Sequence, residues 1–329
     1  MASWLRNLKL FPLWVLAVAA ALSGQQSAVL AQQSIKGPIT IVVAFAPGAS
    51  TDGLARLLAD GMSKKLNTTV IIDNKPGAFG TIAANFVKTA APDGRTLLLA
   101  SSTTFAIGPN LYKAADFDPV RDFTTIASLA TGQNILAIHP SIEATTIQEF
   151  IALAKANPGK FSYGSNSGTS LVASELFKTM AGVDITEIPY KSVGNQITDV
   201  LTGRISMVIL DQLNAAPLVQ GGQLRGLAVA GGQRSKLVPD LPTLDESGLK
   251  GFQINSWIGL AGPAGVPKPM ADKLNSVTNE IVAGPDYARK LEAFGYEPIL
   301  HTPAQASDLV RDDLKRWASM IALTKMEKQ

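Results

Sequence analysis

The chain has 329 residues, 46 % of them apolar and 17 % charged, enough for one large or two medium packed domains and too apolar for a disordered chain. Its formal charge is only +3, with no Lys/Arg cluster and no interleaved aromatic run, so nucleic acid is not an expected partner. With no cysteine and only His139 and His301, there is almost no raw material for thiol nucleophiles, disulfides, thiolate metal sites or a Ser-His triad.

The first 31 residues read as a targeting segment. Arg6 and Lys9 precede an apolar run over 10–22, and Ser27-Ala-Val-Leu-Ala31 supplies the small residues of a cleavage site. The run is shorter than the roughly 20 residues a membrane span needs, so export is favoured over anchoring. Cleavage is predicted after Ala31, which leaves a formal charge of +1 and a periplasmic protein. No cysteine stands there to carry a lipid.

The mature chain opens on Ile39-Thr-Ile-Val-Val-Ala-Phe45, a buried strand, followed by Ala46-Pro-Gly-Ala-Ser-Thr-Asp-Gly53. Leu54, Leu57, Leu58 and Met62 then follow helical spacing. Ser50, Thr51 and Asp52 are all suitable N-caps. A helix start presents unpaired N–H groups and partial positive charge, so this loop is expected to attract an anion. The unit repeats at Val70-Ile-Ile72, with the loop Asp73-Asn-Lys-Pro-Gly-Ala-Phe-Gly80 and a helix through Ile82, Phe86 and Val87. After the turn Ala91-Pro-Asp-Gly-Arg95, a third strand ends in Ser101-Ser-Thr-Thr104. Three strands with helical crossovers predict a parallel sheet whose loops converge at the strands' carboxyl ends.

Runs at 126–129 and 135–138 predict a crossover into a second sheet. Thr146-Ile-Gln-Glu149 fits a capping box ahead of a helix. Phe161-Ser-Tyr163 leads into the hydroxyl-rich Gly164-Ser-Asn-Ser-Gly-Thr-Ser170, and a helix carries Leu171, Leu176 and Phe177. Further strands are expected at 186–190, at 206–210 ending in Asp211, and at 224–230. Two amphipathic helices, marked by Leu274 and Ile281 and by Val310, Trp317 and Ile321, are expected to close the chain and pack on the first domain.

Catalytic patterns are missing. There is no nucleophile elbow, no Walker loop and no dinucleotide fingerprint. Gly164-Ser-Asn-Ser-Gly168 approaches the first, but Ser165 and Ser167 have no candidate histidine on the same edge. Asp52, Asp73 and Asp211 could in principle do acid/base work, although Asp52 also fits a cap and Asp73 a strand end. What remains is binding without reaction, with no metal or cofactor. Hydroxyls and N–H groups at 50, 51, 101–104, 165, 167, 169 and 170 suit a carboxylate better than a polyphosphate, which would call for Lys, Arg or a metal. Tyr190 and Phe79 are placed to flank a ligand or to pack.

These motifs resemble one family. Ile41-Val-Val-Ala-Phe-Ala-Pro-Gly-Ala-Ser-Thr-Asp52, Asp73-Asn-Lys-Pro-Gly-Ala78 with Gly80, and Ala91-Pro-Asp-Gly-Arg-Thr-Leu97 are similar to segments of the substrate-binding proteins of tripartite tricarboxylate transporters, also called Bug receptors. Pro119-Val-Arg-Asp-Phe123, Ile188-Pro-Tyr-Lys191 and Trp257-Ile-Gly-Leu260 continue the likeness over essentially the whole mature chain. The resemblance implies an α/β, two-lobed type II periplasmic-binding-protein-like fold. In it, two parallel or mixed sheets flanked by helices enclose a ligand cleft, with lobe 1 at 32–132 plus 257–329 and lobe 2 at 133–256. It implies a monomeric receptor that takes a small organic carboxylate, a di- or tricarboxylate or an aromatic acid, and delivers it to a two-subunit inner-membrane permease. A sensor-kinase receptor is the alternative, and an exported serine hydrolase a third. The first carboxylate grip maps onto Gly48, Ala49, Ser50, Thr51 and Asp52 with Gly77, Ala78, Phe79 and Gly80, beside Ser101 and Ser102. The opposite wall maps onto Ser165, Asn166, Ser167, Thr169, Tyr190 and Asp211. Ala49 stands where the family usually has glycine, Phe79 where it has a small residue, and the loop at 165–172 is shorter than common.

Overall fold

The computed structural model describes residues 37–324 and 326–328. The predicted export segment and its cleavage point lie outside the described residues. The described chain opens with β1 (Ile39–Val43), α1 (Ser50–Leu66), β2 (Val70–Asn74), a single 3₁₀ turn (Ala78–Gly80), α2 (Thr81–Lys88) and β3 (Thr96–Ser101). β1 lies between β2 and β3 and pairs in parallel with both. Ile41, Val42 and Val43 are fully buried, as a strand covered on both faces requires. A π-helical turn (Ser102–Ile107) and the short α3 (Gly108–Leu111) follow β3 directly.

Where the sequence suggests two runs with a crossover, the structure has one 16-residue strand, β4 (Phe123–Ile138). Ala130-Thr-Gly-Gln-Asn134 lacks the apolar signal of a strand. It stays extended because its backbone is paired on a neighbour, so tertiary context overrides local composition. The first part of β4 pairs antiparallel with β9 (Asn255–Pro263), with Gln133 opposite Asn255. The second part pairs antiparallel with β7 (Met207–Asp211) and β8 (Arg225–Val229). β4 therefore belongs to both sheets, and with β5 (Phe161–Ser165) and β6 (Ile185–Pro189) the strand order is β2-β1-β3-β9-β4-β7-β5-β6. The expected lobe limits at 132/133 and 256/257 fall inside β4 and β9.

The second sheet is built from α4 (Ile147–Ala156), β5 (Phe161–Ser165), α5 (Gly168–Ala181), β6 (Ile185–Pro189), α6 (Val193–Leu201), β7, α7 (Gln212–Gln220) and β8. β5 runs parallel to β6 and β7. Thr146 caps α4 by accepting from Glu149 N, but the Glu149 carboxylate reaches past it to Thr145 N and Oγ1. The reciprocal arm of the capping box is thus shifted by one residue.

The chain ends with α8 (Lys268–Val282), α9 (Pro285–Ala293), β10 (Tyr296–Pro298) and α10 (Pro303–Thr324). α9 and β10 carry too short a pattern to read from sequence; β10 is fixed by antiparallel pairing of Tyr296 with Gly132 of β4. α10 does not pack on the first unit alone. Val310 joins the cluster of Phe105 and Trp257, while Trp317 and Ile321 join that of Leu171 and Phe177 behind the second sheet. Between them Asp313, only 4 % exposed, accepts from the indole N–H of Trp257 (2.7 Å) and of Trp317 (3.0 Å) and pairs with Arg316. Arg316 in turn donates to the carbonyls of Gln253 and Asn255. Among the described residues, no helix is long and apolar enough to cross a membrane.

Candidate functional site

The carboxyl ends of β1, β3, β5 and β7 converge on a cavity of about 90 Å³. The first sheet contributes the start of α1 (Ala49, Ser50, Thr51), the end of β3 (Ser101, Ser102, with Thr103), Ser256 and Trp257 from β9, and Tyr296 from β10. The second contributes Asn166, Ser167, Thr169 and Ser170 from the β5–α5 loop, and Asp211 and Asn214 from the β7–α7 junction. Asn134 of β4 lines it where the sheets meet. Two hydrogen bonds cross it, Thr103 Oγ1 with Thr169 Oγ1 at 3.1 Å and Ser50 Oγ to Asp211 Oδ2 at 3.5 Å.

The sequence explains the first wall locally. Pro47-Gly48 turns the chain out of β1, and α1 begins at Ser50 with Ala49 in the N-cap position and no side-chain cap. The predicted caps Ser50, Thr51 and Asp52 therefore lie inside the helix. Asp52 folds back instead. It accepts from Gly48 N (3.0 Å) and Asn74 Nδ2 (2.9 Å) and forms an ion pair with Arg56 one turn on. Burial pushes its carboxyl up, but these donors outweigh burial and hold it below the usual range. Asp52 thus secures the loop from behind. The uncapped helix start, with Ser50 and Thr51, lines the cavity, and the buried Thr51 Oγ1 has no hydrogen-bond partner. The Asn134 side-chain oxygen is likewise buried and unpartnered.

Across the cavity, Ser167 caps α5 in a capping box with Ser170. Asp211 caps α7, accepting from Asn214 N and Nδ2. Burial raises its carboxyl above the ordinary range, more than Asn214 and Ser50 lower it. The Tyr296 phenol beside it is raised by burial and by the Asp211 charge. Among the described residues, no Arg, Lys or His lines the cavity. The arrangement offers neutral donors and a helix start at one end, and at the other the Asp211 carboxyl, which accepts from Asn214 and Ser50.

Not every expected site residue lines this space. Gly48 and Asp52 sit behind it. Residues 77–80 form a tight turn in which all four residues have positive φ, including Ala78 (44°) and Phe79 (50°). A Cβ on Gly80 would strike Thr104 Oγ1 and lie 3.0 Å from Ala44 Cβ, so only glycine fits. This turn does not line the cavity, and Phe79 stacks on Tyr112 at 4.9 Å between ring centroids. Ser165 donates to Glu187 (2.6 Å), and Tyr190 donates to Asp199 (2.8 Å). Burial and that carboxylate push the Tyr190 phenol up to about 12. The histidines bond elsewhere, His139 to Ser141 and His301 to Ser128. Asn134, Asn214, Ser256 and Tyr296 escaped sequence reasoning. Only Asn134, in the polar pair Gln133-Asn134 between apolar runs, carried a signal, that of a buried polar group.

Comparison with known proteins gives the family and the fold. The sequence profile of the family described as "Tripartite tricarboxylate transporter family receptor" matches residues 54–326. "Protein BugT" of Bordetella pertussis is 30 % identical over 313 residues, covering 94 % of this chain and 96 % of its own. A solved R. palustris protein "with adipate" superimposes with a TM-score of 0.84 at 31 % identity, covering 89 % of this chain and 98 % of that one. MatC from Rhodopseudomonas palustris "with bound malate" gives 0.81 at 30 % identity, covering 87 % and 99 %.

Proposed function

The chain belongs to the tripartite tricarboxylate transporter receptor family, and from that membership we propose that it captures a small organic carboxylate in the cavity between its two sheets. We further propose that it is exported to the periplasm, catalyses nothing, and hands its ligand to a two-subunit membrane permease. The observation that carries the reading is the cavity lining. An uncapped helix start, the unpartnered Thr51 hydroxyl and the hydroxyls of Ser50, Ser101 and Ser102 supply neutral donors for one carboxylate. Adipate and malate, named for two similar structures, are small organic carboxylates.

The opposite end narrows the ligand. An ionised Asp211 would repel a second charge, but burial favours its neutral form. The far end of the ligand then either donates a hydroxyl or amine hydrogen to Asp211, or is a second carboxyl sharing a proton with it. Phe79, stacked on Tyr112, has no part in this reading.

A thermal-shift panel of mono-, di- and tricarboxylates, hydroxy acids and aromatic acids tests it. A ligand at a hundred times its Kd stabilises its receptor by about 2.7 kcal/mol. At least one acid should raise the melting temperature by several degrees; a panel with no hit overturns the proposal.

A further inference from the structure

A second cavity, of about 690 Å³, lies beside the first. One wall is α9 and β10, the other is the segment that follows β8, and Tyr296 borders both cavities. Its floor holds Gln133 of β4 and Asn255 of β9. These two residues are register partners on adjacent antiparallel strands, so their carboxamides stand side by side on one face of the sheet. Gln133 Oε1 and Asn255 Oδ1 are both buried, and neither accepts a hydrogen bond.

Two adjacent buried acceptors without partners are costly, about 1–3 kcal/mol each. Ladder pairing sets their backbones side by side, and Gln133 Oε1 lies close against Gly231. A Cβ on Gly231 would collide with Gln133 Oε1. What these oxygens lack is hydrogen from a donor. An ammonium group carries three N–H bonds and can serve both oxygens at once. The Tyr296 ring and the Glu292 carboxylate also line the space and favour a cation.

The rim has the opposite character. Arg234 and Arg289 line it, with side chains 50 % and 74 % exposed. Each pairs with one acid, Glu246 and Asp286, in exposed contacts of the kind that hold little free energy. A guanidinium has five N–H donors, so each keeps capacity for an incoming carboxylate. The groove thus presents acceptors at its floor and cations at its mouth.

We propose that this groove is a second binding site, distinct from the carboxylate cavity, for a zwitterionic amino acid. Its ammonium sits on the Gln133 and Asn255 amide oxygens, and its carboxylate points to Arg234 and Arg289. Because the groove lies between β10 and the segment after β8, its occupant touches elements attached to both parts of β4.

The test is calorimetric titration of the purified protein with the standard amino acids, and with butylamine and butyrate as single-charge controls. At least one amino acid should bind. Gln133→Leu, Asn255→Leu and the surface change Arg289→Ala should each weaken it tenfold or more. Ser50→Ala, at the other cavity, should leave it within twofold. The proposal is overturned if no amino acid binds, or if binding is lost in Ser50→Ala and indifferent to Gln133→Leu. It is also overturned if butyrate binds as tightly as the amino acid in a Gln133-dependent way. Circular dichroism of each variant separates lost binding from lost folding, and Arg289→Ala, on an exposed helix face, keeps the test decisive if the floor variants fail to fold. A negative result here leaves the carboxylate panel untouched, because the two experiments read different cavities.

Discussion

Ser50 Oγ donates to Asp211 Oδ2 at 3.5 Å, joining the first turn of α1 to the cap of α7 across the cavity. The bond is long, and the acceptor is a carboxyl that burial holds above its ordinary range. A ligand that places a donor on Asp211 would replace this contact.

The sign of the pH effect follows. A carboxyl raised by folding is most compatible with the fold when protonated, and that advantage is lost as pH rises through the raised value. Asp211→Asn keeps the cap to Asn214 N, because asparagine caps as well as aspartate. The stability of Asp211→Asn relative to the parent should therefore grow as pH rises from about 4 to about 7. Thermal melts of both proteins over that range check it; a gap that shrinks with rising pH contradicts it.

Thr51→Val removes a buried hydroxyl that has no partner and keeps the shape. Folding should lose nothing measurable and could gain up to about 1 kcal/mol, because an unsatisfied polar atom disappears. Carboxylate affinity should fall by about tenfold, the worth of one charge-assisted hydrogen bond. Urea unfolding and titration with the best hit of the acid panel give the two numbers.

Phe79→Ala removes a stacking partner of Tyr112 rather than a cavity wall. It should cost about 1–2 kcal/mol of stability and leave carboxylate affinity within about twofold. A large loss of affinity would restore Phe79 to the site.

Asp313→Leu strips two buried indole N–H groups and Arg316 of their shared acceptor. A cost of about 3–5 kcal/mol is expected, typical of breaking a buried charged network. Denaturant unfolding followed by tryptophan fluorescence, in which Trp257 and Trp317 report directly, measures it.

Gly80→Ala forces a side chain into a position with φ +91° and against Thr104 and Ala44. A loss of about 2–4 kcal/mol should follow from strain and overpacking together. A neutral result in denaturant melts would mean that the turn at 77–80 relaxes freely.

Residues 39–104 were legible because their information is local: apolar runs of strand length, Pro-Gly turns and helical spacing follow one another in order. The loops at 49–51, 101–102, 166–169 and Asp211 were legible for the same reason, since a parallel sheet sends its loops to one edge. β4 was not, because 130–134 is extended by virtue of pairing with β9, β10 and β7, all distant in sequence. Tyr296 was hidden likewise, in a three-residue strand held by Gly132. The turn at 77–80 reads as a ligand loop by composition, yet its side chains serve packing; composition does not tell which way a tight turn faces.

The pairing of β4 with β9 slips its register twice, near Ala127 and near Ala130. Such irregularities coil a ribbon and pin it, because sliding by one residue would turn every side chain to the other face. The ribbon thereby fixes one alignment of the two sheets, so the groups they bring to the cavity, Ser50 on one side and Asp211 on the other, inherit their juxtaposition from strand pairing far from either residue.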